Sequence, residues 1–204
     1  MPTLDAIDDA GGGGLGGVRL VYFETRGNFP EVLRFMGETA AALGVPCETL
    51  RGGFKAGLQQ LLAEGVRCVL MGTRRADPDG GLLEVFSPTS LDWPPLMRVC
   101  PALLLSYADV WAVLRGAALP FCELYCEGFT SLGAQHDSAR NPALALGAAA
   151  AQAGAGAGAG GGAEDAEEEA AEVRAARARG AAFLPAWMLR DGALERAGRG
   201  GGAR

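Results

Sequence analysis

The densest cluster of residues able to do chemistry is the run GTRRADP, Gly72–Pro78. It follows directly after an apolar run that is typical of a strand. Two adjacent guanidinium groups, Arg74 and Arg75, are costly to bury without partners. The rigid fork of arginine matches the oxygens of a phosphate or carboxylate in bidentate geometry. The pattern therefore predicts either an anion-binding surface or a structural salt bridge to Asp77, and it leaves both open.

Two further stretches carry candidate binding residues. Trp93 lies in the turn DWPP, Asp92–Pro95, where a tryptophan either stacks on an aromatic ligand or covers the edge of a core. A second basic pair, Arg196 and Arg199, lies near the C-terminal end of the sequence. An interaction surface that used only the acidic segment 164–172 would leave both arginine pairs unexplained.

The composition disfavours several classes of protein. The 204 residues include 18 basic and 24 acidic side chains, a formal net charge of −6, whereas a nucleic-acid partner requires a basic footprint. The five cysteines form no C-x-x-C pair and His136 is the single histidine, so we expect neither a zinc cluster nor a disulfide framework. No apolar stretch approaches a membrane span, and the first ten residues carry three aspartates and no base. We therefore expect a cytoplasmic protein with neither a nucleic-acid nor a membrane partner.

The elements that must position these residues alternate between strand and helix patterns. Val18–Phe23 predicts a strand, and Asn28, Pro30 and Glu31 mark the start of a helix that ends near Gly44. Further strands are expected at Cys47–Leu50 and Cys68–Met71, the second buried on both faces, with a long loop over Thr73–Pro95. Further helices are expected at Phe54–Glu64, at Tyr107–Leu114 and, after an Ala/Gly run at Ala143–Gly162, over Glu164–Arg179 as a solvated helix. The alternation predicts an α/β fold with a mostly parallel sheet flanked by helices.

Eight motifs in order resemble one family. They are VYFETRGNFPEV, GTRRADP, DWPPLMRVCP, YADVWAVLR, LYCEGFTSLG, NPAL, FLPAWML and ERAGR, and they span Val18–Asn141 and Phe183–Arg199. Together they are similar to the eukaryotic-type FAD synthases (FMN adenylyltransferases), which share the PP-loop, adenine nucleotide alpha hydrolase-like fold with the PAPS reductases. A reductase needs a cysteine nucleophile in its C-terminal tail, and no cysteine follows Cys126.

The resemblance implies a division of the chain. It places a PAPS reductase-like FAD synthase domain at 18–142 and a tail over 183–204 that returns to the flavin site. The glycine-rich composition predicts a disordered N-terminal segment at 1–17, and the Ala/Gly-rich and charged composition predicts a low-complexity insert at 143–182.

The resemblance also implies a reaction, FMN plus ATP giving FAD and pyrophosphate, with Mg²⁺ accompanying ATP and a monomeric enzyme. Asp77 matches the acid that contacts the flavin ring, and Trp93 matches the aromatic residue beside it. Arg196 and Arg199 match the tail pair that folds over the ligand. The implied flavin-binding residues are Arg74, Arg75, Asp77, Trp93, Arg98, Arg196 and Arg199.

Two departures from the family pattern affect the nucleotide site. The family opens with a strand and an S-x-x-G-G-K-D loop that holds the ATP phosphates, and no such run occurs in the 204 residues. The expected fold therefore lacks its first strand–loop–helix unit, and no catalytic residue can be named. Glu24 stands where the family carries aspartate near the nucleotide, one methylene longer. Two hypotheses stay open: an FAD synthase impaired by the missing loop, seen here as an N-terminally incomplete or divergent chain, and a non-catalytic flavin-nucleotide-binding remnant.

Overall fold

A computed structural model of the chain describes residues 17–147 and 163–200. Nearly all of the predicted disordered segment and most of the Ala/Gly run lie outside the described residues. The chain divides into two compact units. The first unit comprises Met1–Arg26 and Val32–Ser106, and the second comprises Gly27–Glu31 and Tyr107–Arg204. The predicted domain over 18–142 is therefore divided between the two units.

The first unit begins with two parallel strands that are joined by a helix. β1 (Leu20–Phe23) leads into α1 (Pro30–Leu43), which begins at the proline that the sequence marks as its first turn. β2 (Cys47–Leu50) then pairs with β1 in parallel, with Leu20 opposite Cys47. The predicted β–α–β order is confirmed here.

The second helix of the first unit packs closely on this strand pair. α2 spans Phe54–Ala63, within one residue of its predicted limits. A Cβ atom at Gly57 would lie 2.6 Å from Cε1 of Phe23 and 3.2 Å from Cδ1 of Leu50. Glycine is required at this position because any side chain would push the helix away from the sheet.

A second, three-stranded sheet completes the first unit. β3 (Cys68–Leu70) pairs in parallel with β5 (Met97–Val99), and β4 (Phe86–Pro88) pairs with β5 in antiparallel orientation. The strand order is β3–β5–β4. The predicted parallel pairing is confirmed, but the short strand β4 lies inside the segment expected to be a loop.

The prediction that Cys68–Met71 is a strand buried on both faces is wrong. Cys68 is exposed and Leu70 is 64% exposed, so the side chains on this face of β3 remain accessible to water. The strand register places six side chains together on this face, since residues two apart in a strand and opposite each other in a pair share one side. We call them the open face: Cys68, Leu70, Phe86, Pro88, Met97 and Val99.

The second unit has a larger core. α3 (Tyr107–Gly116) contributes Tyr107 and Trp111 to a cluster of buried side chains with Leu144, Ala176, Leu184, Ala186 and Leu189. Aromatic rings surround Trp111, with edge-on contacts to Phe121 at 5.2 Å and to Tyr125 at 5.4 Å between ring centroids. The Tyr107 hydroxyl donates to Ala186 O at 2.8 Å, which satisfies its polar group inside the cluster.

The segment expected to be an insert contributes to this core at both ends. Leu144 is 1% exposed, and Ala145 forms a β-bridge with Phe183. α4 (Ala163–Ala178) forms where an Ala-rich helix was predicted, and its C-terminal half packs on the cluster through Val173 and the fully buried Ala176. The prediction of a solvated helix therefore fails for this half, because small and apolar side chains recur along one face of it. Within the described residues, no helix is both long and apolar enough to cross a membrane.

Candidate functional site

The run GTRRADP forms the first part of a compact loop in the first unit, which we call the arginine loop (residues 72–83). Arg74 is buried, with 7% exposure, and its Nη2 lies 3.1 Å from Oδ1 of Asp77. The backbone N–H of Arg74 donates to Oδ2 of the same carboxylate at 2.7 Å. Both oxygens of Asp77 are therefore held by one residue, and the salt bridge that the sequence left open is present.

Glycine at position 80 allows the arginine loop to close. The backbone N–H of Gly80 donates to Asp77 O at 3.0 Å, and that of Asp77 donates to Arg74 O at 3.1 Å. A Cβ atom at Gly80 would lie 2.1 Å from Arg74 O, closer than any van der Waals contact allows. The loop that holds Asp77 therefore depends on the close approach of Gly80 to Arg74 O, which leaves no room for a side chain.

Arg75 faces solvent, unlike its neighbour. Its backbone N–H donates to Leu103 O at 2.8 Å, which fixes the backbone, and its Nη1 donates to Gly81 O at 3.0 Å. The residue is exposed, so most of its five N–H donors remain accessible. Of the two adjacent arginines, Arg75 is the one placed to meet an anion.

Trp93 and Arg98 both follow β4 in the sequence. Trp93 is 41% exposed in the turn between β4 and β5, and its backbone N–H donates to Ser90 O at 2.9 Å. Arg98 lies in β5, on the side of the sheet opposite the open face, and its Nη2 donates to Pro88 O at 2.8 Å. In the described part of the chain, the Nε of Arg98 is buried and has no hydrogen-bond partner. An unpaired buried donor is costly, which marks this arginine as a candidate ligand contact.

Glu24 follows β1 and is paired within the first unit. Its Oε2 lies 3.0 Å from Nε of Arg51, and both side chains are exposed. Arg51 follows β2 as Glu24 follows β1, and parallel pairing brings the two strand ends together. The sequence analysis did not single out Arg51, although the parallel pairing of β1 and β2 was the signal that could have found it.

The basic pair of the tail lies in the second unit. Arg199 Nη2 lies 2.9 Å from Oδ2 of Asp137, and the Arg199 side chain is 18% exposed. Arg196 is exposed and reaches Ser131 Oγ only at 3.5 Å. Asp137 was missed by the sequence analysis, which named only the neighbouring His136.

The electrostatics of Asp137 favour its ionised form. Burial opposes the charge, but the hydrogen bond from Ser138 and the positive charge of Arg199 together lower the pKa of Asp137. Ser138 Oγ donates to Oδ1 of Asp137 at 3.1 Å, and Arg199 contacts the other oxygen. The ion pair is therefore charged throughout the neutral range.

The predicted site residues thus fall into two groups. One group belongs to the first unit: Glu24, Arg74, Arg75, Asp77, Trp93 and Arg98. Arg196 and Arg199 belong to the second unit. Among residues 17–147 and 163–200, no group of three or more His, Cys, Asp or Glu side chains could hold a metal ion.

Comparisons with known proteins identify a matching family and several similar chains. The phosphoadenosine phosphosulfate reductase domain family matches residues 55–140. A Caenorhabditis briggsae protein named "Probable FAD synthase" is 33% identical over 84% of this chain and 28% of its own length. A Schizosaccharomyces pombe protein of the same name is 29% identical over 91% of this chain and 58% of its own length. The chain therefore covers between about a quarter and about three fifths of the length of these relatives.

The crystal structure of Candida glabrata FMN adenylyltransferase in complex with FAD and inorganic pyrophosphate has the same fold. It superposes with a TM-score of 0.67 at 24% identity, over 88% of this chain and 68% of that one. Residues 55–140 therefore match a PAPS reductase-like domain, and the chain has an α/β fold. The chain is similar in sequence to proteins named FAD synthase.

Proposed function

We propose that this chain supplies the flavin-binding part of an FMN adenylyltransferase, which transfers the adenylyl group of ATP to FMN. The observation that carries the proposal is the arginine loop of a chain homologous to FAD synthases. Arg74 holds both oxygens of Asp77, while Arg75 stays exposed beside it. A fixed carboxylate next to an accessible guanidinium suits a ligand that has a hydrogen-bonding ring and an anionic chain.

The reaction needs charge neutralisation more than covalent chemistry from the protein. An oxygen of the FMN phosphate attacks the α-phosphorus of ATP and forms the new P–O–P bond. The bond from the α-phosphorus to the oxygen that bridges to the β-phosphate breaks, and its electron pair leaves with pyrophosphate. In our proposal the second substrate is Mg·ATP, and Arg75 stabilises anionic oxygens of the flavin nucleotide.

Further features of the proposal follow from the resemblance to the FAD synthases. Asp77 contacts the flavin ring, Trp93 lies beside it, and Arg98 uses its unpaired Nε within the site. Glu24 lies near the nucleotide, with Arg51 holding its carboxylate. We propose a monomer in the cytoplasm without a nucleic-acid partner, in keeping with the net charge of −6.

A binding experiment tests the flavin site. Titration of the purified chain into FMN should quench the flavin fluorescence. Asp77→Asn should weaken the affinity about tenfold, because a charge-assisted hydrogen bond is lost. Glu84→Gln is a matched control, since Glu84 is an exposed acid just beyond the loop. Equal affinities for the two variants, or no quenching by the unmodified chain, would count against the proposal.

A second candidate function is flavin-nucleotide binding without catalysis. This alternative concerns the 204 residues by themselves, which contain no S-x-x-G-G-K-D run. The two functions separate when the chain is incubated with FMN and Mg·ATP and the products are resolved by chromatography. FAD formation supports the enzyme, whereas FMN binding without FAD formation supports the binding protein.

A further inference from the structure

One side chain closes the turn between β4 and β5, which we call the tryptophan turn (residues 89–96). The hydroxyl of Thr89 donates to Pro94 O at 2.7 Å and accepts a hydrogen bond from the backbone N–H of Leu96 at 3.1 Å. The backbone N–H of Thr89 donates to Leu96 O at 2.9 Å. Thr89 therefore joins the first residue of the turn to two residues at its end.

The backbone is fixed on both sides of Trp93. Pro94 is buried and Leu96 is 3% exposed, so the end of the turn is anchored in the interior of the first unit. On the other side, the backbone N–H of Trp93 donates to Ser90 O at 2.9 Å. Trp93 itself remains exposed, so the turn holds its backbone while its side chain stays accessible.

The hydrogen bonds of the turn require a hydroxyl at position 89. A hydroxyl can serve Pro94 O and the Leu96 N–H at once, because it has one donor and two acceptor positions. Valine has the shape of threonine but would leave both backbone groups without this partner, which is costly where water is largely excluded. Serine would keep both bonds. The two substitutions therefore separate the effect of shape from that of hydrogen bonding.

We propose that Thr89 is a positioning residue for flavin binding, because its hydroxyl holds the tryptophan turn so that the indole ring of Trp93 faces the flavin ring. This role rests on the proposed flavin-nucleotide function, in which Trp93 lies beside that ring. It acts through Trp93 and needs no contact between Thr89 and the ligand. A backbone that is fixed before binding has less conformational freedom to lose when the flavin stacks, and the affinity is higher for that reason.

FMN affinity, measured by quenching of flavin fluorescence, tests the role of the hydroxyl. Thr89→Val should weaken FMN binding about fivefold, because two hydrogen bonds of the turn are lost. Thr89→Ser should bind FMN as tightly as the unmodified chain. Ser90→Ala is the matched control, since it removes an exposed hydroxyl from the neighbouring residue, and it should have no effect. Equal affinities for Thr89→Val and Thr89→Ser would overturn the proposal.

A double-mutant cycle shows whether Thr89 acts through Trp93. Trp93→Ala should weaken FMN binding about tenfold, because the stacking surface is lost. Adding Thr89→Val to Trp93→Ala should reduce the affinity little further, since the turn then has no indole ring to position. If the two losses add in full, Thr89 acts independently of Trp93 and the proposal is wrong. A Trp93→Ala variant that binds FMN as tightly as the unmodified chain would also overturn it.

Hydrogen exchange at the Leu96 amide, followed by NMR, reports on the turn itself. This N–H donates to Thr89 Oγ1, so Thr89→Val should speed its exchange about fivefold, whereas Thr89→Ser should not. Unchanged exchange in Thr89→Val would show that the hydroxyl does not hold the turn, and the proposal would fail on that ground.

The failure of this role and the failure of the proposed function give different results. If the unmodified chain does not bind FMN, the proposed function fails, and the flavin role of Thr89 fails with it whatever the exchange rate. If the unmodified chain binds FMN, and Thr89→Val exchanges faster but binds FMN equally well, the proposed function stands and only the positioning role is overturned.

Discussion

The two units of the chain differ in how they bury apolar side chains. The second unit collects seven buried residues into one cluster around Trp111, with aromatic rings packed on it from several sides. In the first unit the described cluster is Leu83, Cys100 and Leu103. Its three-stranded sheet also leaves the open face accessible, with Phe86 65% exposed and Leu70 64% exposed.

This difference indicates where each unit gets its stability. Burial of apolar area is the dominant favourable term in folding, so the second unit depends on a few large side chains. The first unit has a smaller described cluster, and close approaches at Gly57 and Gly80 and pairs of charged residues also hold it together. Substitutions of similar size should therefore have unequal effects in the two units.

The largest expected effect is the loss of Trp111. Trp111→Ala should lower the free energy of unfolding by about 3–5 kcal/mol, because it removes the ring on which Phe121 and Tyr125 pack. Leu70→Ala on the open face should cost less than about 0.5 kcal/mol, since the side chain is already in water. Urea unfolding followed by circular dichroism measures both variants, and equal losses would contradict the comparison.

A smaller effect is expected in the arginine loop. Gly80→Ala should destabilise the first unit by about 1–3 kcal/mol, because the new Cβ atom must push Arg74 O away and the loop must shift. Gly81→Ala next to it meets no atom within 4 Å and should be close to neutral. The same urea measurement applies. If Gly80→Ala leaves the free energy of unfolding unchanged, the loop relaxes at no cost and this prediction is wrong.

The sequence predicted the elements of the first unit well because local signals mark them. Pro30 begins α1, and Cys47–Leu50 forms β2 with the predicted limits. Local signals could not predict the exposure of β3, since an apolar run shows what a strand could bury and not what covers it. For the same reason the sequence did not predict β4, because its three residues pair with β5, which comes later in the chain.

The sequence predicted which types of residue form the candidate site, but it did not predict the role of each residue. Arg74 and Arg75 are adjacent in sequence, and only the folded loop shows that one holds Asp77 while the other faces solvent. Asp137 could not be found as the partner of Arg199, because the two residues are 62 positions apart and no local pattern joins them. Two arginines of the same motif can therefore have different roles, one in fixing the loop and the other in facing a ligand.

The smallest expected effect concerns a surface ion pair of the first unit. Arg19 lies between two acids, with its Nε 2.7 Å from Oε1 of Glu48 and its Nη2 2.7 Å from Oε2 of Glu64. The hydrogen bond from Arg19 lowers the pKa of Glu48, against the opposing effect of burial. Because the pKa of Glu48 is lower in the folded state, its carboxylate stabilises the fold at pH values above the ordinary pKa of 4.5. This stabilisation is lost as the pH falls through the pKa of the folded state.

Glu48→Gln should therefore destabilise the protein more at pH 7 than at pH 3. The side chain of Glu48 is 40% exposed, so solvent screening limits the loss to about 0.2–1 kcal/mol, and added salt should reduce it further. Glu38→Gln is the matched control, because Glu38 lies 3.9 Å from Arg34 on the exposed surface of α1. Urea unfolding at both pH values measures the difference. If the loss for Glu48→Gln is equally large at pH 3 and pH 7, the packing of this side chain, and not its charge, stabilises the first unit.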